Sequence, residues 1–321
     1  MPLIEPSTTQ LSATKQPVDV SNIDETVHIL GAGSMGLLWA SKLTLAGCPV
    51  DLITRTARKV RHVHLLERDE EVELDIDSYT ASTLTNIKTL IVATKAYNAL
   101  AAVKSVAHAL SPDSKILVLQ NGMGSQQAIM QALPNMAVYA AVSTDGARRH
   151  RPFVVEHTGF GETTIGALGN NRDGYLEALI KHLDSDLVLK PADDIRIKMW
   201  RKLVINCCIN ALTAIHDIRN GELLSHPETA SLLPQIIAEC RQVAEQHDFG
   251  HALENMQARV EEVIGNTAQN YSSMHQDVFY QRETEIDFIN GFILAESKRF
   301  GLDCPINQQL VERIKSMPIK P

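Results

Sequence analysis

Lys202, Asn206 and Asn210 are the residues most suited to chemistry in this chain, because their spacing brings one ammonium and two amides together. They lie in the segment 200–214, which contains neither proline nor glycine and is predicted to be one helix. At about 3.6 residues per turn, positions four and eight residues apart fall on one narrow stripe. The rest of the circumference is mostly apolar, through Trp200, Leu203, Val204, Ile205, Cys207, Cys208, Ile209 and Leu212.

A helix that is apolar nearly all round is typical of a buried helix, so the polar stripe enters a protected part of the molecule. There an ammonium or an amide is costly unless another group hydrogen-bonds it. One interpretation is a structural polar network within the core. The other is the wall of a cleft, in which Lys202 acts as an acid and the amides bind a polar small molecule. We favour the cleft, because perturbed polar groups concentrate at functional sites.

A glycine-rich turn with the pattern G-x-G-x-x-G lies between a predicted strand, 27–30, and a predicted helix, 37–46, and a second strand, 50–54, follows. This order is the setting in which the pattern indicates a dinucleotide-binding fold, although a simple tight turn is the alternative. The first glycine permits the turn, the second lets a pyrophosphate approach, and the third lets the helix pack against the sheet, with the helix N-terminus facing the phosphates. The predicted cofactor-binding residues are Gly31, Ala32, Gly33, Ser34, Met35 and Gly36.

The end of the second strand indicates which nicotinamide cofactor is used. NAD enzymes usually have an Asp or Glu there, which accepts hydrogen bonds from the ribose hydroxyls. In this chain the strand ends Ile53-Thr54-Arg55-Thr56, and Asp51 lies too early in the strand to serve. The planar fork of an arginine suits a phosphate monoester, so Arg55 predicts NADP(H), with an ordinary surface arginine as the alternative.

Polar residues also follow two later predicted strands, 89–94 and 115–120. Lys95 comes after the first, and Asn121 begins the run Asn121-Gly122-Met123-Gly124 after the second. Open parallel sheets bind ligands beyond the carboxyl ends of their strands. Both residues are therefore candidates, with Asn121 along the nicotinamide unless it belongs to a plain Asn-Gly turn.

The predicted elements change in kind near residue 192. Before it, the strands just named alternate with helices, joined by strands 138–144 and 187–190 and by an antiparallel addition at 153–157 and 163–167. After it come only predicted helices, at 195–215, 228–249, 253–267, 285–300 and 307–316. The predicted fold class is α/β, a Rossmann-type doubly wound, mainly parallel sheet followed by an all-helical C-terminal domain. We assign residues 1–24 to a flexible N-terminal extension, 25–192 to an NADP-binding Rossmann domain, and 193–321 to a helical substrate and catalytic domain.

The composition is that of an ordinary globular protein, and it excludes several classes of function. A formal net charge of −8 over 321 residues argues against a nucleic-acid-binding surface, and no run of about 18 apolar residues predicts a membrane span. Five scattered cysteines favour free thiols in a reducing cytoplasm, and no histidine cluster has the spacing of a metal site. We expect a cytoplasmic monomer or homodimer that binds a small-molecule substrate and no metal.

The run Thr284-Glu285-Ile286-Asp287 begins a predicted helix in the second half. Thr284 is a plausible N-cap, which puts Glu285 in the first turn. A carboxylate there complements the positive end of the helix dipole. From spacing alone, this structural role is the stronger interpretation of Glu285.

Taken together, these motifs resemble the ketopantoate reductase family, whose members reduce 2-dehydropantoate to pantoate with NADPH in pantothenate (vitamin B5) biosynthesis. The resemblance extends from about Val27 to about Ser316, and the glycine turn is its least specific part. The specific part is the combination of Lys95-Ala96, Asn121-Gly122-Met123-Gly124, Trp200-Arg201-Lys202-Leu203 with Asn206 and Asn210, Asn220-Gly221-Glu222-Leu223, Ser272-Ser273-Met274 and Thr284-Glu285-Ile286-Asp287.

The resemblance implies a helical domain of the 6-phosphogluconate dehydrogenase type, with the site in the cleft between the domains. It implies that Lys202 is catalytic and that Glu285 lies against both substrate and cofactor. The implied substrate-binding residues are Asn121, Asn206, Asn210, Asn220 and Ser273. The implied cofactor-binding residues are Gly31 to Gly36, Arg55, Lys95, Asn121, Ala147 and Glu285. The chain departs from the family pattern in the acidic run Ser143-Thr144-Asp145-Gly146-Ala147.

The residues are consistent with that chemistry. Hydride transfer from NADPH to a keto carbon develops charge on the oxygen, and Lys202 is the only cation on the stripe that can stabilise and protonate it. Glu285 is then expected to orient the ammonium or to accept a substrate hydroxyl. Two alternatives remain open, namely reduction of another branched 2-keto acid and a nonenzymatic NADP-binding redox sensor.

Overall fold

The computed structural model describes residues 26–169 and 175–319, so the predicted extension over 1–24 lies outside the described residues. Within them, one sheet of eleven strands organises the first half of the chain. The strands are β1 (Val27–Leu30), β2 (Val50–Ile53), β3 (Arg58–Glu67), β4 (Glu70–Tyr79), β5 (Ile87–Val92), β6 (Leu110–Val118), β7 (Ala137–Ser143), β8 (Gly146–Arg151), β9 (Val154–Gly159), β10 (Glu162–Leu168) and β11 (Val188–Pro191). The helices of this half are α1 (Ser34–Leu45), α2 (Ala96–Val106), α3 (Ser125–Ala132) and α4 (Tyr175–His182).

The centre of the sheet is parallel and buried. β1 lies between β2 and β5, and β6 and β7 continue the parallel order beyond β5. All four residues of β1 are buried, as are the last four of β5. Near-continuous apolar strands of this kind are typical of a sheet covered by helices on both faces. The predicted Rossmann-type, mainly parallel sheet is confirmed.

The sequence assigns residues 153–157 and 163–167 to one antiparallel addition to the sheet. In the structure the strands at these positions lie on opposite flanks of the sheet. β10 pairs antiparallel with β7, as predicted, and β11 lies beside it. The strand predicted at 153–157 is present as β9, but it lies on the opposite flank, where it pairs parallel with β3 and antiparallel with β8. The reason is the hairpin formed by β3 and β4, whose side chains are largely charged and exposed. Such a hairpin lacks the apolar alternation that predicts a strand, yet it provides the edge on which β9 pairs.

The flank formed by β3, β4, β8 and β9 curls around α1, which packs against all four strands. Trp39 of α1 shares a hydrophobic core with Val63 of β3 and Val155 of β9. Only Thr144 and Asp145 connect β7 to β8, although these strands lie on opposite flanks of the sheet. The curl therefore brings the two flanks together at the carboxyl end of β7.

The second half is helical, as predicted, and none of the described helices is long and apolar enough to cross a membrane. Its α-helices in the described residues are α5 (Ile195–His216), α6 (Pro227–Gln246), α7 (Met256–Asn266), α8 (Ser273–Phe279), α9 (Asn290–Phe300) and α10 (Pro305–Lys315). α5 is central, because it contacts α6, α7, α8 and α10 as well as β7 and β10 of the sheet. Trp200, near its start, is 2% exposed and lies in a hydrophobic core that continues from the sheet into the helices.

The predicted helix over 285–300 begins five residues late. Ile286–Phe288 form a separate 3-10 turn with Glu285 as the residue before it, and α9 begins only at Asn290. The assignment of Glu285 to the first turn of a long helix was therefore wrong. The cause lies in the other half of the molecule, where Met123 N donates a hydrogen bond (2.8 Å) to Phe288 O and holds that peptide out of the helix.

Candidate active site

The glycine-rich turn joins β1 to α1 and lies against the end of β5. Gly31 has a φ of +111°, and a Cβ added to it would lie 2.9 Å from Thr94 Cγ2. A Cβ on Gly36 would lie 1.9 Å from Gly31 O, so close packing requires glycine at both positions. A Cβ on Gly33 would meet only Ala93 O, at an ordinary 3.7 Å. Packing among the described residues thus gives no reason for glycine at Gly33.

The N-terminus of α1 beside this turn is open. Gly33 is the N-cap residue, and within the described part of the chain no side-chain cap hydrogen bond is made to the first turn. These N–H groups and the positive end of the helix dipole are available to an anion. Ala32, Ser34 and Met35 are half-buried around them. The turn therefore fits the pyrophosphate of a dinucleotide, with room above Gly33 for its approach.

Two arginines lie at the dinucleotide end of the site. Arg55 follows β2 and is exposed. Arg149 of β8 donates from its backbone N–H to Ser34 Oγ (3.2 Å) and from Nη1 to Ala32 O (3.2 Å). Sequence reasoning missed Arg149, because it lies 115 residues from Ser34 and gives no local signal. Its neighbour Arg148 instead pairs with Glu156 (2.7 Å).

A cluster of charges spans the cleft between the sheet and the helices. Lys95 Nζ lies 2.7 Å from Asp277 Oδ2 and 3.2 Å from Glu285 Oε2, and Glu285 Oε1 accepts a hydrogen bond from Ala96 N (2.9 Å). Burial acts to lower the pKa of Lys95, but the two carboxylates outweigh it and raise this pKa above its ordinary value. The structure thus brings the candidates Lys95 and Glu285 together. It adds the buried Asp277, which sequence reasoning missed and which Arg282 also contacts (3.0 Å).

Lys202 lies on α5 where this helix faces the carboxyl end of β7. Its Nζ donates a hydrogen bond to Ser143 O (2.8 Å). Burial lowers the pKa of Lys202 to about 8, although the carboxylates of Glu285 and Asp145 act in the opposite direction. An ammonium whose pKa lies near neutrality is suited to general acid catalysis. A cavity beside Lys202 is lined by Gly122, Gln126, Val142, Met199 and Leu203.

The two amides of the stripe follow Lys202 on successive turns of α5. Asn206 is half-buried, and Asn210 is 5% exposed. One turn later, Thr213 Oγ1 donates to Ser272 Oγ (2.7 Å), which closes this end of the stripe with the start of α8. The predicted helix with a polar stripe is therefore present, and the stripe is half-buried at Lys202 and Asn206 and buried at Asn210.

Asn220 and Ser273 lie beyond that end. Asn220 is 6% exposed, and its Nδ2 donates to Thr267 Oγ1 (2.9 Å) while its Oδ1 is buried without a hydrogen-bond partner. A buried acceptor left in this state is destabilising until a donor reaches it. Ser273 is exposed and is the first residue of α8, directly after the N-cap Ser272. Both candidates thus belong to segments that pack against α5.

Asn121 and Ala147 lie in tightly held segments of the first half. Asn121 is half-buried and precedes Gly122, whose φ is +81° and whose added Cβ would lie 2.1 Å from Phe288 O. The loop after β6 is therefore a tight turn fixed against the segment that carries Glu285. Ala147 is half-buried on β8, opposite His157 of β9.

One group of possible metal ligands occurs among the described residues, away from the cleft. His62, Glu73 and Asp75 come together on the β3–β4 hairpin because His62 and Asp75 are paired across it. Their spacing in the sequence did not reveal this group. All three side chains are exposed, and we assign no metal site to them.

Two family models match the chain and together cover most of it. The model described as ketopantoate reductase PanE/ApbA matches residues 27–170, and its C-terminal counterpart matches residues 194–317. The chain is 36% identical over 294 residues to the 2-dehydropantoate 2-reductase of Vibrio cholerae, covering 91% of this chain and 97% of that relative. It is 35% identical over 298 residues to the protein of the same name from Escherichia coli O157:H7, covering 90% and 94%.

Solved structures share the fold over nearly the whole chain. D-mandelate dehydrogenase with NADH and anilino(oxo)acetate superposes with a TM-score of 0.84 at 26% identity, covering 91% of this chain and 97% of that one. PanE of Bacillus subtilis superposes with a TM-score of 0.78 at 30% identity, covering 91% and 99%. The likeness therefore includes both the sheet and the helices that border the cleft.

Proposed function

Because the chain belongs to the ketopantoate reductase family, we propose that it catalyses the NADPH-dependent reduction of 2-dehydropantoate to (R)-pantoate in pantothenate biosynthesis. The observation that carries the proposal is the polar stripe on α5, in which Lys202 Nζ donates to Ser143 O at the carboxyl end of β7 and Asn206 and Asn210 follow on the next two turns. An oxidoreductase family gives no support to the alternative of a nonenzymatic sensor.

We assign the proton-transfer role to Lys202. Bound NADPH supplies the hydride for the keto carbon. Lys202, with a pKa of about 8, stabilises the negative charge on the substrate oxygen and donates the proton that completes the alcohol. Asn206, Asn210, Asn220 and Ser273 then hold the carboxylate and hydroxyl of the substrate.

Glu285 is bonded to the segment that follows β5. Its two oxygens accept from Lys95 Nζ and Ala96 N, whereas the Lys202 ammonium donates to Ser143 O. That Glu285 orients this ammonium or accepts a substrate hydroxyl stays a prediction. We propose that it holds Lys95 and the start of α2 in place on the cofactor side, and that its charge favours the protonated form of Lys202. Asn121 and Ala147 border the cofactor from the strand ends.

We propose NADP(H) as the cofactor, held by residues 31–36 at the pyrophosphate and by Arg55 at the additional phosphate. Packing does not explain why residue 33 is a glycine, and this supports the approach of the pyrophosphate to the turn at that position. Arg149 is a further phosphate ligand in this proposal, because its guanidinium already lies at the turn. An arginine at the end of β2, without an acid to accept the ribose hydroxyls, supports NADPH over NADH.

A second candidate is a 2-keto acid reductase with another side-chain preference. It is favoured by the likeness to D-mandelate dehydrogenase, whose structure holds NADH and anilino(oxo)acetate. Identity of 36% to a 2-dehydropantoate 2-reductase over almost the whole chain favours ketopantoate instead.

The test is a steady-state assay with ketopantoate, benzoylformate and 2-ketoisovalerate, each with NADPH and with NADH. We expect the highest kcat/KM for ketopantoate with NADPH, by at least about tenfold over NADH, a difference of about 1.4 kcal/mol. Arg55→Ala should remove most of that cofactor preference. Higher kcat/KM for benzoylformate, or equal use of both cofactors, would support the second candidate.

We also propose that the chain divides into two domains at residue 192, between β11 and α5. We further propose that the protein acts in the cytoplasm. Its proposed state is a monomer or homodimer that binds a small-molecule substrate alone. All five cysteines are free thiols, which favours a reducing compartment. Cell fractionation and light scattering test the last two points.

A further inference from the structure

A row of paired carboxylate, ammonium and imidazole side chains leads from the surface to the carboxyl end of β7. Asp186 pairs with Lys42 (2.7 Å), and Lys42 pairs with Glu67 (2.7 Å). Glu67 accepts from His157 Nδ1 (2.8 Å), and His157 Nε2 lies 3.1 Å from Asp145 Oδ1. Both nitrogens of His157 thus face carboxylate oxygens.

The inner part of this row is buried. The side chains of Lys42, His157 and Asp145 are 2%, 4% and 3% exposed. They come from α1, β9 and the β7–β8 connection, which the curl of the sheet brings together. Buried ion pairs recover their desolvation cost poorly, so stability alone is a weak reason to keep so many charges here.

The inner end of the row fixes the peptide that holds Lys202. Asp145 Oδ2 accepts from Ser143 Oγ (2.9 Å), and Asp145 N donates to the same hydroxyl (3.0 Å). Asp145 Oδ1 accepts from Gly161 N (3.0 Å). Ser143 O is the acceptor of the Lys202 hydrogen bond (2.8 Å). Asp145 is therefore linked to the Lys202 ammonium through the hydrogen bonds of a single residue, Ser143.

Few other charges face Lys202. Glu285 faces it from the segment before α9, but this carboxylate is already shared with Lys95, which Asp277 of α8 also contacts. On α5 itself, Arg201 is turned away and donates to Ala252 O (2.8 Å), and Lys198 acts on the exposed Glu162. The charged residue of β10 is Glu162, which pairs with Lys190, and Asp145 lies in the β7–β8 connection. Asp145 is thus the second carboxylate of the Lys202 environment.

We propose that Asp145 is a positioning residue for Lys202, and that the row through His157, Glu67 and Lys42 holds this carboxylate oriented behind the ammonium. The inference rests on the proposed function for its catalytic meaning. It assigns a role to the acidic run 143–147, in which the chain departs from the family pattern. The negative charge of Asp145 favours the protonated, proton-donating form of Lys202.

The experiment compares Asp145→Asn, which is isosteric and removes one charge, with the control Glu156→Gln. Glu156 adjoins His157 on β9 but pairs with Arg148 and His150 at the surface. Two readouts are measured on each variant: the pH profile of kcat/KM for ketopantoate, and the pKa of Lys202 in the ligand-free protein by competitive acetylation and mass spectrometry. The double variant Asp145→Asn/His157→Gln, which removes the carboxylate together with its imidazole partner, replaces the single variant if that fails to fold.

We expect Asp145→Asn to move the basic limb of the profile to lower pH by about half a unit or more, the scale of one nearby charge. The Lys202 pKa from acetylation should fall in parallel, and Glu156→Gln should change neither. An unchanged Lys202 pKa in Asp145→Asn, or an equal shift in Glu156→Gln, would overturn the inference. If wild-type protein reduces no keto acid while Asp145→Asn still lowers the Lys202 pKa, the proposed function fails and the electrostatic link stands.

Discussion

At the scale of the residue, Lys202 is expected to act in the chemical step rather than in stability. Lys202→Ala should lower kcat by about 10²–10⁴, the usual scale for the loss of a general acid. NADPH binding should persist, because Lys202 contacts Ser143 O and not the glycine turn. Measuring kcat, NADPH Kd and Tm on the same preparation separates this from a structural role. Near-normal kcat with a much lower Tm would show that Lys202 is a core residue only.

The same lysine should set the pH dependence of ketopantoate reduction. Its pKa is lowered to about 8 by burial, and the reduction needs the protonated form. The rate should therefore be constant below this pH and should fall as the pH rises through about 8. Pantoate oxidation, which needs the neutral amine, should show the opposite dependence. A pH profile recorded in both directions checks this, and a reduction rate that rises above pH 8 would contradict it.

Arg149 and Arg148 form a matched pair for testing phosphate binding. Arg149→Ala should raise the Kd of NADPH by about tenfold or more, the scale of one charge-assisted hydrogen bond. Arg148→Ala removes the same charge one residue away, but this side chain pairs with Glu156, so the Kd should change little. Calorimetric titration of both variants gives the comparison. Equal losses would indicate general electrostatic attraction instead of a contact at the turn.

Sequence spacing locates the residues that lie on one helix or one turn, and it misses those brought in from elsewhere. The Lys202, Asn206 and Asn210 stripe follows from helical geometry alone. Asp277 and Arg149 could not be predicted in this way, since their partners Lys95 and Ser34 lie 182 and 115 residues away. Their positions depend on how the sheet curls and how the helices cover it.

At the scale of the element, the glycine turn contains one glycine that packing requires, Gly36, and one that packing does not require, Gly33. Substitution should distinguish the two. Gly36→Ala puts a Cβ against Gly31 O and should lower Tm and the yield of folded protein. Gly33→Ala meets no close contact, so it should leave Tm unchanged but raise the Kd of NADPH. Thermal melts with and without NADPH check both variants. A destabilised Gly33→Ala protein would mean that this glycine also serves packing.

The bounds of three elements show where the local sequence pattern fails to predict the structure. Helix α5 ends within one residue of its prediction, because its apolar periodicity continues to the end. Helix α9 starts five residues late, because the carbonyl of Phe288 bonds to Met123 N in the other half of the chain. The β3–β4 hairpin is absent from the prediction, because its exposed, charged strands resemble a loop. Tertiary contacts decide each of these cases.

At the scale of the whole molecule, the contact between Gly122 and Phe288 O holds the two halves together around the cleft. Gly122→Ala introduces a Cβ 2.1 Å from that carbonyl at a φ of +81°. We expect a loss of more than about 1 kcal/mol in the free energy of unfolding and a lower kcat, since Glu285 lies just before the same segment. Gly301→Ala is the control, because its φ of +69° carries similar strain in open space. Denaturant melts that show equal losses would assign the effect to backbone strain alone.

Each half of the molecule contains one of the two tryptophans in the chain, and both indoles are buried, Trp39 in the core around α1 and Trp200 near the start of α5. Intrinsic fluorescence therefore carries two separable signals. Trp39→Phe leaves emission from the helical half alone, and Trp200→Phe leaves emission from the Rossmann half, so different midpoints in denaturant would reveal an intermediate with one half unfolded. Because Trp200 lies two residues before Lys202, its emission also reports on the packing of the helix that carries the proposed acid.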